Sequence, residues 1–156
     1  MRLLLLTPLA LAVLATSAPA TTPVGGAAAA ATPQAAGTKP ASLMVSLTLD
    51  LRCAKPGPAA IVITLPRAWR VPKSVARRAV WIDNGHPKGV NLSNHTLTLQ
   101  PAAHRGTCTV LAPGTIKVNF TRAAKFGNPS KPGRYTIRAS IGTQDFSARV
   151  TIKPAG

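Results

Sequence analysis

Hydrophobic and polar residues alternate strictly over three stretches in the C-terminal third of the chain. Apolar side chains occupy every second position in Thr115–Thr121, Arg134–Ile141 and Asp145–Ile152. A period of two is typical of a strand that has one face in a core and the other in water. The pattern therefore predicts three consecutive β-strands, and the rest of the folded chain must pack on their apolar faces.

Shorter stretches upstream have the same character. Ser42–Arg52 alternates cleanly, and Ala60–Leu65 is a compact apolar run. Turn-forming residues such as Asp83-Asn84-Gly85 separate further short runs, because Asn and Gly tolerate positive φ. These runs are Val80–Ile82, Val90–Leu92 and Thr96–Leu99. The pattern as a whole predicts an all-β fold, an antiparallel β-sandwich of about seven to nine strands.

The first 38 residues differ in composition from the rest. A basic start, an apolar run and the small-residue site Ala18-Pro19-Ala20 predict a secretory signal peptide over residues 1–20. Residues 21–38 are uncharged and rich in Ala, Thr, Pro and Gly, which predicts a disordered linker. The sandwich domain is then predicted to span residues 39–156. No second long apolar run follows, so we expect no transmembrane segment after cleavage and a secreted or cell-wall-associated protein.

The chain contains two cysteines, Cys53 and Cys108. In an exported protein the oxidising compartment favours a disulfide between them, and the alternative is two free thiols. A bridged pair cannot serve as nucleophile or metal ligand.

Charge narrows the choice of partners. The chain has 19 Lys and Arg against three Asp and no Glu, and removal of residues 1–20 takes Arg2 away and leaves a net charge of +15. Such a balance favours anionic cell-wall or extracellular polymers, although a solvated basic surface with no ligand is the alternative. The residues expected to form an anion-binding patch are Arg134, Arg138, Arg149 and Lys153, on the outer faces of the last two strands.

The expected pairing of those two strands sets Ile141 opposite Phe146. Arg138 would then lie opposite Arg149, and Arg134 opposite Lys153. Like charges placed directly opposite each other destabilise a sheet, so either the long side chains are well solvated or an anion binds there.

A turn region near the C-terminus carries a resemblance to a known family. Phe126-Gly127-Asn128-Pro129, then Lys131-Pro132-Gly133 and Tyr135-Thr136-Ile137, resemble a strand corner of Ig-like β-sandwich modules in bacterial secreted and cell-surface proteins. The resemblance implies a sandwich outside the cell, acting as a spacer or adhesive unit. Here the excess of Arg and the cysteine pair depart from the usual pattern. The residues expected to build the corner are Asn128, Pro129, Gly133 and Tyr135, a structural turn and not a site.

Catalytic and metal chemistry have little support. No nucleophile elbow, phosphate loop or paired carboxylate motif is present, so we predict no enzyme and no cofactor, with a small secreted hydrolase as a remote alternative. His86, His95 and His104 are nine residues apart. The loop Asn84-Gly85-His86-Pro87 resembles one in secreted copper-carrier sandwiches, which makes a copper-binding protein the main alternative and three exposed loop histidines the plain one. Few aromatic residues and no recognition helix argue against specific nucleic-acid binding. The sequence does not indicate an oligomeric state.

Overall fold

The computed structural model describes residues 26–49, 60–102, 114–142 and 144–156. Nine β-strands and two short 3-10 helices occupy these ranges, which confirms the all-β prediction. The strands are β1 (Ala27–Thr32), β2 (Ser42–Leu49), β3 (Ile61–Thr64), β4 (Val80–Ile82), β5 (Gly89–Ser93), β6 (Thr96–Gln100), β7 (Gly114–Phe120), β8 (Gly133–Ile141) and β9 (Gln144–Ile152). The two 3-10 turns are Arg77–Ala79 and Arg122–Ala124.

The strands form two antiparallel sheets. Sheet 1 has the order β1-β2-β7-β4, and sheet 2 has the order β5-β6-β3-β8-β9. This is the spatial arrangement of nine-stranded immunoglobulin variable-type domains. The connectivity differs. In this chain the sheet 1 strand β4 comes before the β5–β6 hairpin of sheet 2. In a variable-type domain the two additional strands of sheet 2 come before the corresponding strand of sheet 1. The chain thus has Ig-like layers with its own path through them.

The core is formed by the inward positions that the alternation predicted. In β9 the side chains of Phe146, Ala148, Val150 and Ile152 are buried, and the residues between them are exposed. Phe120 and Phe126 meet edge to face with ring centroids 5.3 Å apart, a favourable geometry for two aromatic rings. Both sheets therefore contribute one apolar face to a shared interior, as a sandwich requires.

The predicted disordered linker over residues 21–38 is wrong for residues 26–38. Ala27–Thr32 is an edge strand that pairs antiparallel with β2, and Ala31 is fully buried in the core. The chain then crosses to the other sheet, where Ala35 bridges to Lys153 beside β9. The composition predicted disorder because Ala, Thr, Pro and Gly have little apolar area to bury, but pairing with β2 and the burial of Ala31 order this segment. The folded domain accordingly includes residues before Lys39.

The expected register of the β8–β9 hairpin is also wrong. Ile141 pairs with Gln144 and not with Phe146, so the loop between the strands has only two residues. Gly142 lies at φ +59°, the left-handed region that two-residue hairpin loops need and that glycine enters without strain. The shorter loop moves every partner by two positions. As a result Arg138 faces Ser147, and Arg149 faces Thr136.

The predicted corner residues form a junction that reaches further than a local turn. Asn128 is completely buried, and its Nδ2 donates hydrogen bonds of 2.7 Å to the Pro33 carbonyl and 2.8 Å to the Ala35 carbonyl. The Tyr135 hydroxyl donates to the Lys131 carbonyl at 2.8 Å, while its ring packs against the core. Pro129 is buried, and Gly133 begins β8. The corner therefore ties the N-terminal crossover to the β8–β9 hairpin.

Three predictions fall outside the described residues. Cys53 and Cys108, the signal peptide over residues 1–20 and the ligand candidate His104 all lie in other parts of the chain. Within the described ranges, no helix has both the length and the apolar character that a membrane span needs.

Candidate anion-binding face

The outer face of sheet 2 is a polar surface made of aligned rows. Direct pairing sets five residues side by side across all five strands, one from each, and the next row is aligned in the same way. The first row is Ser93, Thr96, Thr64, Arg138 and Ser147, and the second is Asn91, Thr98, Val62, Ser140 and Asp145. Neighbouring hydroxyls approach each other, with 3.3 Å between Thr64 Oγ1 and Thr96 Oγ1. The face thus presents hydrogen-bonding groups at regular strand spacing.

All four cations predicted for the patch lie exposed on this face, along the β8–β9 hairpin. Arg134 and Arg138 point outward from β8, and Arg149 points outward from β9. Lys153 follows the end of β9 in the same alternation. We call these four residues the cation strip.

The cation strip is a zigzag, because the cations alternate between the two strands. Each of its three arginines faces a hydroxyl: Arg138 faces Ser147, Arg149 faces Thr136, and Arg134 faces Thr151. Successive cations are diagonal neighbours, with Cβ atoms about 7 Å apart, so no two like charges are directly opposite. The destabilisation expected from like charges in one rung does not arise with this register.

A shallow depression lies at one end of the cation strip. It has a volume of about 160 Å³ and is lined by Arg138, Asp145, Ser140, Thr64 and Val62, with Ala139 behind them. Asp145 is directly paired with Ser140 and is the diagonal neighbour of Arg138. A carboxylate thus stands at the end of the row of cations and weakens the attraction for anions there.

Aromatic side chains are absent from the outer face of sheet 2. All six aromatic residues of the chain lie in the described ranges. Trp69, Phe120, Phe126 and Phe146 are buried, Tyr135 packs against the core, and Trp81 is on sheet 1. The face therefore offers charge and hydroxyls but no stacking platform.

The outer face of sheet 1 has a different character. Met44 and Trp81, which are 43% and 38% exposed, are the large hydrophobic side chains that face solvent among the described residues. Pairing places both in one row with Asn119 between them. The His86 ring lies against Trp81 with 4.0 Å between the ring centroids and an angle of 43° between the ring planes.

The predicted histidines are not brought together. His86 lies before β5, and His95 lies in the loop at the far end of that strand, so the length of β5, roughly 14 Å, separates them. The Nδ1 of His86 donates a hydrogen bond of 2.7 Å to the Val80 carbonyl, which leaves Nε2 as its remaining nitrogen. No group of three metal-ligating side chains occurs within the described ranges. The geometry gives the copper alternative no assembled site there.

Known proteins similar to this chain are similar in structure and not in sequence. No protein family and no curated protein matches the sequence. BslA, described as a bacterial hydrophobin, matches with a TM-score of 0.56 and 13% identity, over 84% of this chain and 99% of BslA. The N-terminal domain of an adhesin from Streptococcus gordonii matches with a TM-score of 0.51 and 10% identity, over 85% of this chain and 33% of the adhesin structure. At these identities the likeness shows the shared β-sandwich fold alone.

Proposed function

We propose that this protein is a non-enzymatic, extracytoplasmic adhesive module that binds anionic cell-surface or extracellular polymers through the cation strip. The supporting observation is the alternation of four exposed cations along one hairpin, each arginine paired with a hydroxyl. Guanidinium groups bind phosphate, sulfate and carboxylate with paired hydrogen bonds, and a neighbouring hydroxyl supplies one more donor. The net charge, which is +15 after removal of residues 1–20, attracts such polymers from a distance.

The structural neighbours are consistent with an adhesive or structural role. One is a domain of a bacterial adhesin, and the other is described as a hydrophobin. Both descriptions concern those proteins, and they support the proposal only as examples of what this fold does in bacteria. The signal-like N-terminal sequence adds the extracytoplasmic setting.

A disulfide between Cys53 and Cys108 belongs to the same proposal. Leu49 pairs with Gly114 in sheet 1, and Ile61 pairs with Leu99 in sheet 2. The described residues that flank the segments 50–59 and 103–113, which hold the two cysteines, are therefore neighbours in the sandwich. We expect a mass two units below the reduced form under non-reducing conditions, and a loss of about 4 kcal/mol in the free energy of unfolding on reduction. Thiol alkylation without prior reduction would contradict the bridge.

The function is tested by comparing two variants of equal charge. The first changes every residue of the cation strip to Gln. The second changes four exposed cations outside the strands to Gln, namely Arg67, Lys73, Arg78 and Lys125. Binding to dextran sulfate, polygalacturonate and purified wall polymers is measured by titration calorimetry at rising salt. We expect the strip variant to lose about 100-fold in affinity at low salt and the second variant a few-fold. Equal losses, or no binding by the unmodified protein, would overturn the proposal.

A further inference from the structure

We infer that the cation strip is matched to a linear polyol phosphate, a polymer with one phosphodiester for every six backbone bonds. This inference rests on the proposed function and adds the class of polymer. It comes from the spacing of the cations, which the hairpin register fixes, and from the arrangement of the hydroxyls that face them.

The spacing of the cations along the hairpin is set by strand geometry. Each step of the zigzag moves two residues along the antiparallel ladder, which is about 6.8 Å. The four cations therefore mark a line about 20 Å long. Because they alternate between β8 and β9, the residues of the cation strip lie on either side of the line between the two strands.

A polymer chain of the right repeat follows this line in step. Two peptide residues contain six backbone bonds, and an extended peptide covers about 7 Å over two residues. A three-carbon polyol joined by phosphodiesters also has six backbone bonds between phosphorus atoms. Its extended repeat is therefore close to that of the strand beneath it, so consecutive phosphates can meet consecutive cations.

Other polyanions fit the spacing less well. Inorganic polyphosphate has two bonds per charge, which places several charges against each cation. A five-carbon polyol phosphate has eight bonds per charge and is out of step after two contacts. The hydroxyls of Ser147, Thr136 and Thr151, one opposite each arginine, provide donors for the phosphate oxygens that the guanidinium leaves free.

Single-stranded nucleic acid shares the six-bond repeat, but the face lacks what its bases need. None of the six aromatic side chains of the chain lies on the outer face of sheet 2. Base stacking on aromatic groups contributes about 1–3 kcal/mol per base in proteins that bind single strands. The observations therefore favour a polyol phosphate, whose polyol carries hydroxyls and no base.

The experiment compares polymers of equal charge number and different repeat. Glycerol phosphate, ribitol phosphate, inorganic polyphosphate and an oligonucleotide, each with twelve charges, are titrated against the full chain at fixed salt. We expect glycerol phosphate to bind about tenfold more tightly than ribitol phosphate or polyphosphate, with a slope of log K against log salt near −3 for four contacts. Tighter binding of the oligonucleotide would overturn the inference in favour of nucleic acid.

A charge-conserving variant isolates the spacing. The double change Ser147→Arg with Arg149→Ser moves one cation by one rung, so that it faces Arg138 and leaves a gap of about 14 Å. We expect this variant to bind polyanions in general but to lose its preference for glycerol phosphate. Loss of affinity in the strip variant without any preference among polymers overturns this inference and leaves the proposed function standing. Binding that does not depend on the cation strip overturns both.

Discussion

The two outer faces of the sandwich are built on similar inner faces and yet differ in chemistry. Sheet 1 exposes Met44 and Trp81 in a row with Asn119, and Lys117 lies one rung away on β7. Sheet 2 exposes rows of hydroxyls and the cation strip. Inner positions are constrained by packing to be apolar, while outer positions are free to vary. A specific binding role is therefore expected to depend on the outward-facing residues, in which the two sheets differ.

The largest gain in polymer affinity is expected from building a cation zigzag on sheet 1. Met44→Arg with Thr48→Arg places two arginines on β2, one rung to either side of Lys117 on β7. In a chain whose cation strip is changed to Gln, we expect these two arginines to raise polymer affinity roughly tenfold. The measurement is titration calorimetry with glycerol phosphate polymer.

The matched control adds the same charge without alternation. Ala28→Arg with Thr32→Arg puts both cations on the edge strand β1. We expect no more than a twofold gain from this control, whose arginines share one strand. An equal gain from both pairs would show that total charge, and not register, distinguishes the two faces.

The next prediction concerns stability, at the junction between the N-terminal crossover and the β8–β9 hairpin. Asn128→Ala removes both donors to the Pro33 and Ala35 carbonyls, which are then left without these partners. We expect the free energy of unfolding in urea to fall by about 2–3 kcal/mol. Hydrogen exchange should rise first in β1 and β9, the strands on either side of the crossover.

Asn119→Ala is the control for the junction. Asn119 is exposed on sheet 1, so we expect its replacement to change the free energy of unfolding by no more than about 0.5 kcal/mol. Equal destabilisation by the two changes would contradict the bridging role of Asn128.

A smaller effect is expected from a single hydroxyl of sheet 2. Thr136→Val keeps the shape of the side chain opposite Arg149 and removes its hydroxyl. We expect polymer affinity to fall by about three-fold, the size of one modest hydrogen bond, and Thr136→Ser to restore it. Thr48→Val on sheet 1 is the matched change and should leave affinity as it is. If these variants bind the polymer with equal affinity, the hydroxyls take no part in the proposed contact.

The smallest effect on polymer binding is expected from the apolar residues of sheet 1. Met44→Ser with Trp81→Ser should leave polymer affinity within about twofold, since uncharged side chains release no counterions. Retention on a phenyl resin should decrease, because two exposed apolar groups are lost. A tenfold loss of polymer affinity would place the binding face on sheet 1 instead.

The alternation of apolar residues determined which residues face the core and which face water. Val118, Ile137 and Phe146 are buried as their positions in the pattern predict, and Arg138 and Arg149 are exposed. A strand's two faces follow from its own sequence, because successive side chains point in opposite directions. The all-β fold class and the exposure of the four cations were therefore predictable without any structure.

Only the tertiary structure decided how the strands align. Moving the β8–β9 pairing by two residues leaves every side chain on the same face, so the alternation cannot distinguish the two registers. The two-residue loop at Gly142 decides it, and with it whether Arg138 faces Arg149 or Ser147. Likewise β1 is a strand because β2 offers it a free edge. The sequence pattern specifies which side chains lie on each face of a strand. The spacing between side chains on neighbouring strands is set only by how the strands pair.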